Sequence, residues 1–170
     1  MKIISFVGMP GSGKSEASKI ALAMNIPVIS MGNIIREETK KMNINQKYCG
    51  KIADYLRRIE GKNAVAKRCV PYIKLKIINE NKKFFVIDGI RSIDELNYFE
   101  ELFNCKIIII FIDSNIENRF KRILSRKRED DFLVINDLKK RDNLELKWGI
   151  FNIIKKAHFI IKNNTTLSDY

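Results

Sequence analysis

Apolar residues concentrate in five short stretches, Lys2–Val7, Ile26–Ser30, Phe84–Asp88, Lys106–Asp113 and His158–Lys162. Continuous runs without polar alternation predict strands buried on both faces, as in a parallel sheet covered by helices. Between them the apolar positions recur every three or four residues. That spacing predicts helices over Lys14–Met24, Asn33–Lys41, Gly50 to about Asn79, Ile93–Phe103, Ile116–Lys127 and Asp137 to about Lys156. Strand alternating with helix predicts an α/β doubly wound fold. No repeat, low-complexity tract or Gly/Pro/Ser-rich linker divides the sequence, so residues 1–170 are read as one domain.

Two connections, Met31 to Lys83 and Ser114 to Ala157, are longer than a crossover needs. In the first, Ile52, Tyr55, Leu56 and Ile59 form a helical stripe, followed by Val65, Cys69 and Ile73, and Pro71 is expected to kink or restart the second helix. Both connections are read as helical inserts above the sheet edge where open α/β folds bind ligands, with the character of lids.

Composition narrows the setting. The longest apolar run, 106–112, falls short of the roughly 18 to 20 residues of a membrane helix, and the sequence opens without a signal-peptide pattern. No membrane partner is expected, and the cytoplasm is the expected location. Cys49, Cys69 and Cys105 are odd in number and lack CxxC spacing, so they are read as reduced packing residues. His158, in an apolar stretch, is read as structural. The net charge of +12, from 32 Lys and Arg against 20 Asp and Glu, suits a phosphate-bearing partner, nucleotide or nucleic acid. A lysine-rich or heat-adapted proteome produces the same total.

The stretch GMPGSGKS, residues 8–15, satisfies G-x-x-x-x-G-K-[ST] and lies between a predicted strand and a predicted helix. Gly8, Gly11 and Gly13 let the backbone turn tightly with its N–H groups inward. The helix that follows presents its unpaired amides to the same anion. In this loop, Ser12 included, Lys14 is placed to reach the β- and γ-phosphates, and the Ser15 hydroxyl is placed to hold Mg²⁺. The strand FFVID ends at Asp88, a second candidate for the metal or its water shell. No guanine-specifying N-K-x-D occurs, which weighs against a GTPase.

With these residues in view, the sequence resembles the adenylate-kinase-like nucleoside monophosphate kinases. MGNIIRE (31–37) is similar to their T-G-D-x-x-R acceptor motif, and IDGIRS (87–92) to D-G-[FY]-P-R. AHFIIKNNTTLSDY resembles the ending of dephospho-coenzyme A kinases. GMPGSGKSEA, MGNIIREE, DGIRS, the arginine-rich helix and RDNLELKWGI together are similar to an archaeal family of kinase-like proteins, which does not itself name a substrate.

The resemblance implies a P-loop NTPase fold with five parallel strands in the order 2-3-1-4-5. It implies an acceptor-binding insert over about 31–83 and a lid over about 119–141. It places Gly32, Asn33, Arg36 and Arg91 at the acceptor. Arg122 and Arg126 fall at the donor, and Lys14, Asp88, Arg126 and Arg141 among the catalytic groups. Arg119, Arg122 and Arg126 share a helix face by spacing, with Arg128 just beyond. Such guanidiniums suit the charge that spreads over a transferring phosphoryl group.

The departures from the family patterns carry information. Asn33 stands where both kinase groups have an aspartate, and asparagine accepts no proton from a hydroxyl. That favours an already anionic phosphate acceptor, unless Glu37 or Asp88 supplies the carboxylate. IDGIRS lacks the proline, and Glu95 stands near the place where adenylate kinases read the acceptor base with glutamine. The lid lacks a four-cysteine cluster, so no structural zinc is expected.

The leading expectation is a small-molecule kinase using Mg·ATP on a nucleotide acceptor, a nucleoside monophosphate before dephospho-coenzyme A. The alternative is an NTP-dependent RNA or ribonucleoprotein assembly factor with slow ATPase activity, a role some adenylate-kinase-like proteins serve. The +12 charge suits it, but no aromatic-interleaved RNA-binding motif supports it. A nucleotide site without activity is a third reading, opposed by the intact Gly13, Lys14, Ser15 and Asp88. Tyr98, Phe99 and Phe103 are read as core or subunit contact, which leaves the oligomeric state open. A final helix after the last strand is expected to be short or absent.

Overall fold

The five apolar runs form one parallel sheet, although the last of them, at its edge, is exposed rather than buried on both faces as its pattern predicts. Its strands are β1 (Lys2–Val7), β2 (Val28–Ser30), β3 (Phe84–Asp88), β4 (Ile107–Asp113) and β5 (Phe159–Lys162), in the order β2-β3-β1-β4-β5. The structure, a computed structural model, describes residues 1–80 and 82–165. Register brings Phe6 opposite Asp88 on one side and Ile110 on the other, and Ser30 opposite Asp88. All strands point the same way, so the loop after β1, Ser30, Asp88, Ser114 and Asn163 meet at one edge. β2 begins two residues later than the pattern predicts, because Pro27 has no N–H for the ladder, although its carbonyl accepts from Val86 N at 2.8 Å.

Eight helices cover the sheet among the described residues: α1 (Lys14–Ala23), α2 (Met31–Lys41), α3 (Cys49–Glu60), α4 (Ala64–Glu80), α5 (Ile93–Phe103), α6 (Ile116–Arg126), α7 (Ile135–Trp148) and α8 (Ile150–Ile154). Several begin at capping side chains. Ser30 Oγ accepts from Asn33 N, which starts α2 two residues before the apolar pattern does; Ser92 Oγ accepts from Glu95 N and Asn115 Oδ1 from Asn118 N. The helical pattern over Asp137–Lys156 is broken at Gly149, whose φ of 101° no helix accommodates, and the pattern over Gly50–Asn79 breaks after Glu60, at Gly61.

The larger core layer packs Val7, Ile87, Ile107 and Ile109 of the sheet against Leu56, Cys69, Ile73, Phe99, Ile150 and Ile153. The smaller one sets Phe6, Val86 and Ile112 against Ala17 and Ala21 of α1. Each fully buried Ile, Leu or Phe stabilises by about 1.5–3 kcal/mol. That burial carries α4 straight through Pro71, so the expected restart does not occur: Ala64, Val65, Ala66, Cys69 and Ile73 are buried on both sides of the proline. In α3 the stripe also differs from the expectation. Tyr55 and Ile59 are exposed, while Cys49, Ala53, Leu56 and Arg57 are buried.

Phe99 is fully buried and packs with Tyr98 and Phe103, so these aromatics are core. His158 lies in the sheet ladder, its N donating to Ile109 O and its Nδ1 accepting from Ile109 N. The expectation about a final helix falls on residues 166–170, outside the described residues. Among the described residues no helix is long and apolar enough to cross a membrane.

Candidate functional site

A cavity of about 1130 Å³ opens over the C-terminal edge of the sheet. Its floor is the loop between β1 and α1, and it extends past Asp88 and Arg91 to α2, α3 and α7. The loop is built from tight approaches. Gly11 has φ 79°, and a Cβ there would meet Arg119 O at 2.6 Å, so the helix backbone behind the loop excludes any side chain. Ser12 O accepts from Asn163 Nδ2 at 2.9 Å, which ties the loop to the chain after β5. Ser12 Oγ is buried without a hydrogen-bond partner among the described residues.

Lys14 heads α1 and is buried, its Nζ donating to Gly8 O at 2.6 Å and Met9 O at 3.0 Å. Burial, reinforced by the neighbouring Arg91 charge, lowers its pKa to about 8, against the opposing pull of Asp88 and Glu145. Asp88 closes β3, nearly buried, and its Oδ1 has no hydrogen-bond partner among the described residues. Ser15 Oγ accepts from Arg128 Nη2 at 3.4 Å. An orphaned buried carboxylate oxygen, a hydroxyl and a glycine cradle form a donor set that suits a hard divalent cation and a polyphosphate.

The arginines reach this space from different elements and differ in their partners. Arg36 of α2 donates to Asp130 Oδ2 at 3.1 Å and also to Asn33 Oδ1. Gly32, one turn before Arg36, leaves ordinary van der Waals room of 3.7 Å to that guanidinium. Arg91 donates to Gly89 O and lies 3.1 Å from Glu145. Arg141 meets Glu145 Oε1 at 3.1 Å and lies over the Trp148 ring. Arg122 donates to Ser114 Oγ and to both oxygens of Asn163. Arg126 grips Asp131 through Nε at 2.8 and 3.0 Å. Arg119 turns away from the cavity to a buried pair with Asp142, at 2.6 and 3.0 Å. Spacing on α6 predicts one face; the structure sends its three arginines to three separate partners.

Cationic crowding shows in the titration of these groups. Burial, then Arg126 and Arg36, hold Arg128 below its ordinary pKa, and burial does the same to Arg141 against the pull of Glu145. An anion entering the cavity relieves both.

Sequence reasoning passed over Glu145, Trp148, Asp130 and Asn163. Glu145 left a signal in its i, i+4 spacing from Arg141, and Asn163 in its place within the ending AHFIIKNNTTLSDY. Glu95 does not line the cavity: it is fully buried, bonded to Arg57 at 2.6 Å and to Arg91 N at 2.7 Å. Glu37 also lies outside the lining, exposed and accepting from Tyr72 Oη at 2.9 Å.

A parallel sheet in this order, with a phosphate loop after its central strand, defines a P-loop kinase-like, nucleotide-binding protein. A family model described as AAA domain matches residues 7–139. A UPF0200 protein of Methanosarcina acetivorans is 44% identical over 172 residues, covering 100% of this chain and 90% of that protein. One from Methanococcus vannielii is 44% identical over 165 residues, covering 96% and 87%. The chain belongs to the AAA-domain family and to the archaeal UPF0200 group. In fold it is similar to TT1252 from Thermus thermophilus, with a TM-score of 0.65 at 14% identity over 99% of this chain and 91% of that one.

Proposed function

We propose that the protein is an ATP-dependent phosphotransferase that moves the γ-phosphoryl group of Mg·ATP to a phosphate-bearing nucleotide, with a nucleoside monophosphate favoured over dephospho-coenzyme A. The observation that carries this reading is one cavity whose lining runs from the phosphate loop to Arg36 and Arg57. At about 1130 Å³ it exceeds the roughly 300–1,000 Å³ of a site for one ligand, and it suits a donor and an acceptor held end to end.

The loop amides and Lys14 cradle the donor phosphates, with Lys14 exchanging the Gly8 and Met9 carbonyls for phosphate oxygens. Asp88 and Ser15 are the groups that would hold Mg²⁺, which when bound neutralises charge on the β- and γ-phosphates. Arg126 and Arg128 reach the donor from the lid, 119–141. Gly32, Asn33 and Arg36 receive the acceptor phosphate, and Arg91 and Arg141 stand between the two ends. Guanidiniums fixed before the reaction stabilise the spreading negative charge without reorganising.

The choice of a phosphate acceptor over a hydroxyl rests on the carboxylates. Asn33 is engaged with Arg36, Glu37 with Tyr72, and Asp130 with Arg36. Asp88 would hold the metal, and Asp130, whose Oδ1 has no hydrogen-bond partner among the described residues, is paired through Oδ2 with the Arg36 that would receive the acceptor phosphate.

The test is ADP formation from Mg·ATP against nucleoside monophosphates, nucleosides and dephospho-coenzyme A, with Lys14→Ala as the control. The expected result is one nucleotide that raises turnover well above background and is recovered phosphorylated. Slow, Lys14-dependent hydrolysis indifferent to every acceptor, together with salt-sensitive RNA binding, overturns the reading.

A further inference from the structure

Glu145 is a carboxylate to which the reading above gives no role, yet it is fully buried in the wall of the cavity. It sits on α7, and its two oxygens serve arginines from distant parts of the chain. Oε2 lies 3.1 Å from Arg91 Nε, three residues past β3, as an ion pair without hydrogen-bond geometry, and Oε1 accepts from Arg141 Nε at 3.1 Å, with Nη2 at the same distance. Burial raises its pKa, but Arg91 and Arg141 outweigh that and hold it below the usual carboxylate range, so it is ionised.

The rest of the surroundings fixes the same geometry. Arg141 lies over the Trp148 ring at 4.7 Å and Arg57 over it at 4.2 Å, while Trp148 Nε1 donates to Asp54 at 2.9 Å. At Gly50 of α3 a Cβ would collide with Arg141 Nη1, so only glycine lets that guanidinium lie there. After these contacts Arg91 keeps Nη2, and Arg141 keeps Nη1, without a protein hydrogen-bond partner among the described residues. Two guanidiniums repel one another; a shared carboxylate holds them side by side with one edge of each left over.

We propose that Glu145 is a positioning residue that yokes Arg91 to Arg141, so that their free edges act as one bidentate clamp on the transferring phosphoryl group. This rests on the phosphotransfer reading. Glu145 touches no substrate. It sets the spacing of two groups that do, and it fastens α7 to the end of β3 when the site is assembled.

Glu145→Gln keeps the shape of the side chain and removes its charge. With the best acceptor of the panel, kcat is expected to fall about a hundredfold, the loss that a displacement of about 1 Å brings, while KM for ATP stays within about twofold. Glu145→Asp, still charged but one carbon shorter, is expected to recover part of kcat. On an Arg141→Gln background, Glu145→Gln should cost less than about threefold, because the partner is already gone. Trp148 is the single tryptophan, so its emission reports on Arg141 without any turnover: Glu145→Gln should shift it in the wild-type background and leave it unmoved in Arg141→Gln. A merely structural Glu145 gives losses that add across backgrounds, with kcat, ATP affinity and melting temperature falling together. Normal kcat and unchanged emission in Glu145→Gln sink the role of Glu145 alone. No transfer by the wild type to any acceptor sinks the kinase reading and this role with it.

Discussion

In this structure the Lys14 ammonium donates to Gly8 O and Met9 O inside the glycine loop, and burial lowers its pKa from 10.5 to about 8. An anionic ligand needs the charged form, so binding and protonation are linked. Mg·ATP affinity is expected to be level below about pH 7 and to fall as pH rises past 8, with proton uptake on binding that calorimetry in two buffers detects. Lys14→Met should bind weakly with no such slope above pH 8. The sign for stability follows from the same shift: between about 8 and 10.5 the unfolded chain holds the proton and the folded one has lost it, so the penalty of burying the charge is full below pH 8 and relieved above it. The loop was legible at this scale because its demands are local and steric. Glu95 was not: its place near a family's base-reading position gave no sign of the buried Arg57 that claims it.

At the scale of elements, α6 shows what periodicity conveys and what it omits. Spacing places Arg119, Arg122 and Arg126 on one face, but Arg119 ends in a buried pair with Asp142 of α7 and also donates to Ser114 O and Pro10 O. Asp142→Asn leaves that guanidinium charged and uncompensated, at an expected cost of about 3–5 kcal/mol. For a chain of this size that lowers the melting temperature by about 6–20 °C. Arg119→Met together with Asp142→Leu is expected to recover at least half of the loss; equal losses in the single and double variants would show that an uncompensated charge is not its cause. In α3, Arg57 takes a position on the buried face while Ile59 on the opposite face stays exposed, because Glu95 and Trp148 lie against the arginine.

Over the whole molecule, the cavity is enclosed by residues far apart in sequence. Arg36 of α2 holds Asp130 of the segment after α6, 94 positions away, and this pair joins two segments on the cavity rim. Both side chains are partly exposed, at 27% and 18%, so the pair contributes up to about 1 kcal/mol. On the proposed reading an acceptor phosphate must displace Asp130 from Arg36. Asp130→Asn is then expected to lower the acceptor KM by up to about fivefold with kcat little changed, and Arg36→Ala to raise it well beyond that. Steady-state kinetics at low and high salt check this, since salt weakens the pair and should shrink the Asp130→Asn effect. An unchanged or raised KM in Asp130→Asn would show that the contact is no latch.

The sequence by itself determined the strands, the phosphate loop and Asp88 at a strand end. Unbroken apolar runs favour strands of a covered sheet, although the edge strand β5 leaves Phe159, Ile160 and Ile161 exposed, and a glycine loop before a helix has one suitable ligand type. Strand order came with the resemblance rather than with periodicity. Only the tertiary structure decided which arginines are tied off and which keep an edge free, because a guanidinium's partner is set by long-range packing. Asp130 and Asp142 claim arginines 94 and 23 positions away, and Glu145 reaches Arg91 as well as its helical neighbour Arg141, contacts that no spacing rule encodes except for the last. The sequence therefore supplies the charge of this site, and the fold decides where that charge is available.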